Sequence, residues 1–305
     1  MKLFAATVFA LGVLGLSAEA SAYCRSTTCR STGAKECATD QSSCPAEGAK
    51  LYWPTSCINF AFNQQGTQDL DPEETFAVMR KTFQAWTEVQ CPKGGQATIT
   101  FEERGPVLLK KSEYNKDGHN VNVILFQDDD WKYRGIDGTL AKTSVTYNDE
   151  TGEIYDADIE VNAANNTVTL PASKKIEYDL QAILTHEVGH FIGIAHSSDD
   201  SAVMAPTYSP GSIAQRKLSA DDIAAVCEIY PPKSGVICSP EPRGGFGDED
   251  PNATTTKACA VSSGAASGGE SGMLRGAAAS LSIMGLGVLA AARRARRRMD
   301  LGRRP

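Results

Sequence analysis

Histidine is scarce in this chain, with four among 305 residues. No Cys-x-x-Cys pair occurs, which disfavours a zinc ribbon despite nine cysteines. Basic residues are in deficit, 30 Lys and Arg against 37 Asp and Glu. Setting aside Lys2, Glu19 and, beyond Cys259, eight arginines, Glu270 and Asp300 leaves 21 basic against 34 acidic residues. The body is therefore near −13, more acidic than the whole-chain −7. Such a charge excludes a nucleic-acid partner, because neutralising phosphates needs the opposite sign. Long apolar runs are missing from the body and occur only near the two ends, so membrane contact is confined to the C-terminal segment.

Residues 1–22 have the pattern of a secretory signal peptide: Lys2, an apolar run from Leu3 to Leu16, and the small residues Ala20-Ser21-Ala22. The mature chain would begin at Tyr23. Near the other end Gly276 to Ala292 carries no charge and is followed by Arg293, Arg294, Arg296, Arg297 and Arg298. That stretch is slightly short of the ~20 residues of a bilayer span but within tolerance. Residues 273–305 are therefore expected to form a hydrophobic, arginine-ended anchor or sorting segment, a transmembrane helix if retained. Residues 240–272 are dominated by glycine, serine, alanine and proline and are expected to be a flexible linker. The body divides into a cysteine-rich extension at 23–50 and a main domain at 51–239. Export puts the cysteines in an oxidising compartment, where disulfides are the default. Setting Cys259 aside leaves eight cysteines and four bridges, with on the order of a hundred pairings open.

Three of the four histidines fall within His186-Glu187-Val188-Gly189-His190-Phe191-Ile192-Gly193-Ile194-Ala195-His196. On a helix, His186 and His190 project from one face about a turn apart. Gly193 can take a backbone conformation closed to other residues, ending the helix and returning His196 as a third ligand. Three imidazoles and an open position suit a catalytic zinc better than a closed structural one. Glu187 flanks the metal without ligating it.

Periodicity predicts an α/β (α+β) fold on one twisted sheet. Leu51–Phe62 alternates Ile58, Phe60 and Phe62 as a half-buried strand. Asp71-Pro72-Glu73-Glu74 starts a helix whose stripe is Phe76, Met79, Phe83 and Trp86. Further strands are expected at 97–101, 121–126, 138–147 and 154–161, the last two paired as a hairpin across Asn148 to Gly152. A second helix is expected from Tyr178 to Ile192, and a third from Ser219, with Asp222 closing a capping box.

The motif His-Glu-x-x-His-x-x-Gly-x-x-His resembles that of the metzincin zinc metalloproteases, which place a methionine turn beneath the metal. Met204 follows His196 by eight residues, and Ser197 with Pro206 makes the stretch similar to the matrixins, the matrix-metalloprotease family. Leu218 to Ile223 resembles the start of their last helix. The resemblance implies a metzincin-like domain with a mostly parallel five-stranded sheet, an active-site helix and a C-terminal helix. It implies one Zn2+ on His186, His190 and His196, Glu187 as general base, and Met204 as a structural support. Substrate would meet Leu140 and Ala141 on an edge strand and Pro206, Thr207 and Tyr208 on the opposite wall. With only His119 left over, a second histidine-bound zinc is not expected. Asp128-Asp129-Asp130 offers carboxylates to a Ca2+ ion, although a solvated acidic loop is the plainer account. The tail resembles a bacterial C-terminal sorting signal of the myxobacterial kind.

The expectation is thus an exported zinc endopeptidase, extracellular or anchored at the cell surface, with protein or peptide substrates. The alternative is a non-catalytic surface binding module that keeps the fold. Glu187 discriminates between them, since a structural zinc would not require it. The sequence does not speak to oligomeric state.

Overall fold

Seven consecutive residues, Cys57–Asn63, are all buried, and the sheet extends outward from them. The computed structural model describes residues 22–30, 36–133, 139–233 and 238–247. Its elements are β1 (Cys24–Arg25), β2 (Cys57–Asn63), α1 (Pro72–Thr87), β3 (Thr100–Val107), β4 (Val123–Gln127), β5 (Ala141–Tyr147) and β6 (Ile154–Asn162). They continue with β7 (Val168–Thr169), β8 (Tyr178–Asp179), α2 (Leu180–Phe191), β9 (Ile194–Ala195), a 3-10 turn at Ala214–Arg216, and α3 (Ala220–Ile229). The five-stranded sheet has the order β3-β2-β4-β6-β5. Its pairings are parallel except for the expected β5–β6 hairpin.

The strand alternation separates two faces. Ile58, Phe60, Phe62, Ile124, Ala157, Ile159 and Val161 join the main core beneath α1 and α2, whereas Ala61, Val123 and Leu125 join a second apolar cluster with Val107 and Val121. This corrects the half-buried expectation for β2. Its second face is covered too, because Asn59 Nδ2 donates to Pro240 O (2.8 Å) and Phe246 packs on the second cluster. Residues 240–247, expected as flexible linker, are therefore bound to the domain, next to the Cys57–Cys238 disulfide. Residues 248–272, the anchor segment 273–305 and the signal residues before Ala22 lie outside the described residues. Among the described residues no helix is long and apolar enough to cross a membrane.

α1 starts as its sequence dictates, with Pro72 at the first turn and Asp71 accepting a bond from Glu74 N at 2.9 Å. Its aromatic stripe locks onto the sheet: Phe83 stacks on Phe60 with centroids 3.9 Å apart, and Phe76 on Phe62 at 4.2 Å. Burying side chains of this size contributes about 1.5–3 kcal/mol each. Trp86 is fully buried and donates Nε1–H to Thr185 O of α2 at 3.0 Å, tying the two helices together. α3 carries the expected capping box of Ser219 and Asp222.

Among the described residues four disulfides form: Cys24–Cys44, Cys29–Cys37, Cys57–Cys238 and Cys91–Cys227. The first two brace the N-terminal extension, whose strand β1 pairs antiparallel with β9. Asp128 takes bonds from Thr67 Oγ1 (2.6 Å) and Gln68 N (2.9 Å), so the carboxylate named for calcium ties a loop, while Asp129 and Asp130 face solvent.

Candidate functional site

α2 begins at Leu180, two residues after the expected start at Tyr178, because Asp179 is used as its N-cap, accepting from Ala182 N at 2.9 Å. The helix then presents His186 and His190 on one face and ends at Phe191, with Ile192 as its C-cap. Gly193 follows with φ +92°, and a Cβ there would meet Leu51 O at 2.7 Å, so the reversal needs glycine. β9 follows directly and carries His196 back toward the helix.

The three imidazoles converge. His190 Nε2 lies 3.1 Å from His186 Nε2 and 3.2 Å from His196 Nε2. Nitrogens at zinc-bond lengths of ~2.0–2.1 Å around a tetrahedral ion would stand about 3.4 Å apart, so the spacing fits one ion. The opposite ring nitrogens are fixed: His186 Nδ1 is 2.7 Å from Val203 O and His190 Nδ1 2.8 Å from Ile194 O. A carbonyl accepts only from a protonated Nδ1, which leaves each Nε2 lone pair facing inward. Burial, together with the neighbouring imidazoles, holds His190 well below the ordinary histidine range. Burial, with His186 alongside, lowers His196 to about 4. Neutral nitrogens are what a metal needs. Among the described residues this trio is a cluster of metal-ligating side chains that could hold an ion.

Glu187 stands beside the trio. Its Oε2 accepts the Thr143 hydroxyl at 2.6 Å. Burial raises its pKa, opposed by the neighbouring His186 ring and the bond from Thr143. Thr143 carries no mark in the sequence, since threonine in a strand is ordinary. Register supplies the signal: two residues beyond Ala141, it shares that residue's face and looks onto α2.

The floor is packed from below. Met204 is fully buried, and a Cβ on Gly189 would collide with its Sδ and press on the Trp86 ring. Asp222, also fully buried, accepts from Val203 N (2.8 Å), Met204 N (3.1 Å) and Ser219 N (2.8 Å). The cap of α3 thus fixes the methionine turn and the carbonyl that orients His186.

A cleft of about 570 Å³ runs over the trio. Leu140, Ala141 and Thr143 line one side, with Pro206, Thr207 and Tyr208 on the other, so the expected wall residues do meet in one groove. Ala182, Ile183, Tyr178 and Gln215 deepen it. The Tyr208 hydroxyl donates to Ser212 O (2.6 Å) and accepts from Asp179 N (3.0 Å), which makes that wall rigid. Gly138, expected on the edge strand, lies outside the described residues.

The family model of the matrixins matches residues 52–231. The chain belongs to the matrixin family. Metalloendoproteinase 1-MMP of Arabidopsis thaliana is 28% identical over 187 residues, 60% of this chain and 45% of that protein. Human matrix metalloproteinase-26 is 30% identical over 164 residues, covering 45% of this chain and 59% of its own length. Human matrilysin shares 50% identity over 50 residues, 16% of this chain. This matrixin spans less than half the length of 1-MMP. Its cysteine-braced residues 22–51 and the strap at 238–247 fall outside the matched region.

Proposed function

We propose that this matrixin is an exported zinc endopeptidase that acts outside the cell or at its surface. The convergence of three Nε2 atoms beside the carboxylate of Glu187 carries the proposal. His186, His190 and His196 would hold the ion. When bound, zinc supplies Lewis-acid polarisation of a carbonyl and acidifies water to a pKa near ~7. Glu187 then takes the water proton and passes it to the departing amine, a role that suits a carboxylate pushed up by burial. Thr143 holds Glu187 in place for both transfers. Met204 supports the floor without reacting.

β5 is an edge strand, so an extended peptide can pair with its free side near Leu140 and Ala141 while a side chain enters the groove by Pro206, Thr207 and Tyr208. The substrate class is therefore protein or peptide. Export is supported by the signal-like first 22 residues and by four disulfides, which need an oxidising compartment. The C-terminal segment would retain or sort the protein at the surface. A non-catalytic module would have no use for Glu187 with Thr143 bonded to it.

The test compares wild-type chain with Glu187→Ala for zinc content and for cleavage of a mixed peptide library. One zinc per chain in both, with cleavage only by wild type, is expected. A zinc-free wild type, or equal cleavage by the two, overturns the proposal.

A further inference from the structure

The three imidazoles are not held by the same part of the molecule. His186 is oriented by Val203 O, and Val203 N is bonded to buried Asp222, so its support comes from the core. His190 is oriented by Ile194 O, and His196 follows Ala195 directly. Both therefore depend on β9, a two-residue strand whose sheet partner is β1.

The contact between these strands is continuous. Ser26 N donates to Gly193 O at 3.0 Å, and Arg25 pairs with Ile194 and Cys24 with Ala195. The ladder thus runs up to the residue before His196. β1 is itself secured from several directions. Leu51 N donates to Ser26 O at 2.8 Å, and the Arg25 guanidinium reaches Leu51 O at 2.6 Å. Tyr23 N donates to Asp221 Oδ1 at 3.0 Å, while Asp221 Oδ2 accepts from Ser197, the residue after His196. Cys24, inside the strand and buried, is bonded to Cys44. Residues 24–50 carry few apolar side chains, so the cross-link takes the place of a core in holding them.

We propose that the disulfide-braced N-terminal strand is a positioning element for the metal centre. It holds β9 in register and so sets His196 and the carbonyl behind His190, and Cys24–Cys44 is the bridge that secures it. The role presupposes that His186, His190 and His196 hold zinc, and it adds a structural dependence that residues 52–231 do not contain. Loss of the brace should shorten the residence of zinc more than it lowers the stability of the domain, because α2, the sheet and the methionine turn keep their own contacts.

The full chain, exported into an oxidising compartment and loaded with zinc, is compared with Cys24→Ser/Cys44→Ser and with Cys29→Ser/Cys37→Ser, the second bridge of the same extension. Zinc release to the chelating dye 4-(2-pyridylazo)resorcinol, amide exchange at residues 193–198 and Tm are measured for each. The expected result is release about tenfold faster or more in Cys24→Ser/Cys44→Ser. Exchange at 193–198 should quicken with it, while Cys29→Ser/Cys37→Ser stays at the wild-type rate. Wild-type release and exchange in folded Cys24→Ser/Cys44→Ser overturns the proposal, as does equal acceleration by both bridge variants. If the first variant does not fold, Ser26→Pro, which removes the N–H bonded to Gly193 O and leaves the bridge, must show the same faster release. A wild-type chain that takes up no zinc removes the metal centre itself. The exchange data then still report whether the strand holds β9, so the two failures are told apart.

Discussion

The Thr143 hydroxyl lies 2.6 Å from Glu187 Oε2 and 3.1 Å from Glu187 O, so one side chain on the edge strand fixes both ends of the acidic residue. A charge-assisted bond of this kind is worth about 1.5–3 kcal/mol. Thr143→Val keeps the shape and removes the donor. It should lower kcat for peptide cleavage by about tenfold or more, with KM and zinc content near wild type. Steady-state kinetics with metal analysis checks this, and Thr143→Ser should recover most of the loss.

Asp222 serves the site from a distance. Its buried carboxylate accepts from Val203 N and Met204 N, which have no water to turn to. Asp222→Ala leaves both unsatisfied and should destabilise the domain by about 3 kcal/mol or more. Chemical denaturation of the zinc-free protein measures it, and the methionine turn should lose amide protection first.

Gly189 is where α2 comes closest to Met204 and Trp86. Adding a methyl group leaves the helix backbone content but overfills the floor beneath the histidines. Gly189→Ala should cost about 1–3 kcal/mol, seen as a Tm lowered by several degrees. Pairing it with Met204→Ala should restore part of the loss, because the added carbon then has room.

On the outer face of β6, Asp156 and Asp158 are buried side by side, and Asp156 Oδ1 has no hydrogen-bond partner among the described residues. Burial raises Asp156 to about 8 and, with the charge of Asp156 adding to it, lifts Asp158 well above the usual range. A carboxyl raised on folding binds its proton more tightly in the native state than in the unfolded chain, where its pKa is about 3.9. The stability it contributes is complete below about pH 4 and is lost as pH rises through about 8. Asp156→Asn keeps the shape without the ionisation. Its Tm should exceed wild type at pH 8, and the gap should narrow toward pH 5. Equal slopes for the two proteins would show that the pair does not hold that proton.

The legible parts of the molecule are those written in neighbouring residues. The caps at Asp71 and Ser219, the β5–β6 hairpin and the histidine spacing on α2 each depend on side chains a few positions apart. β3 runs Thr100–Val107 where 97–101 was expected, and it continues through Gly105 and Pro106. At a sheet edge, as here, proline is tolerated. The covering of β2 depends on Pro240 and Phe246, more than 180 residues away along the chain, and no local pattern announces it. The partner of Glu187 is hidden for the same reason: Thr143 and Glu187 meet only when the edge strand lies over α2. The pairing of cysteines was likewise open until the chain was folded.

The ring nitrogens of His186 and His190 that face away from the centre are both met by peptide carbonyls, not by side chains. A carbonyl is present whatever residue occupies the position, so no exchange of Val203 or Ile194 can delete either acceptor. The neighbourhood of the imidazoles is for that reason insulated from most single substitutions at these two positions. It is exposed instead to changes that bend the main chain, such as a side chain at Gly193. A search for variants with altered metal behaviour will find them among residues that shape the backbone, several of which never approach the ion.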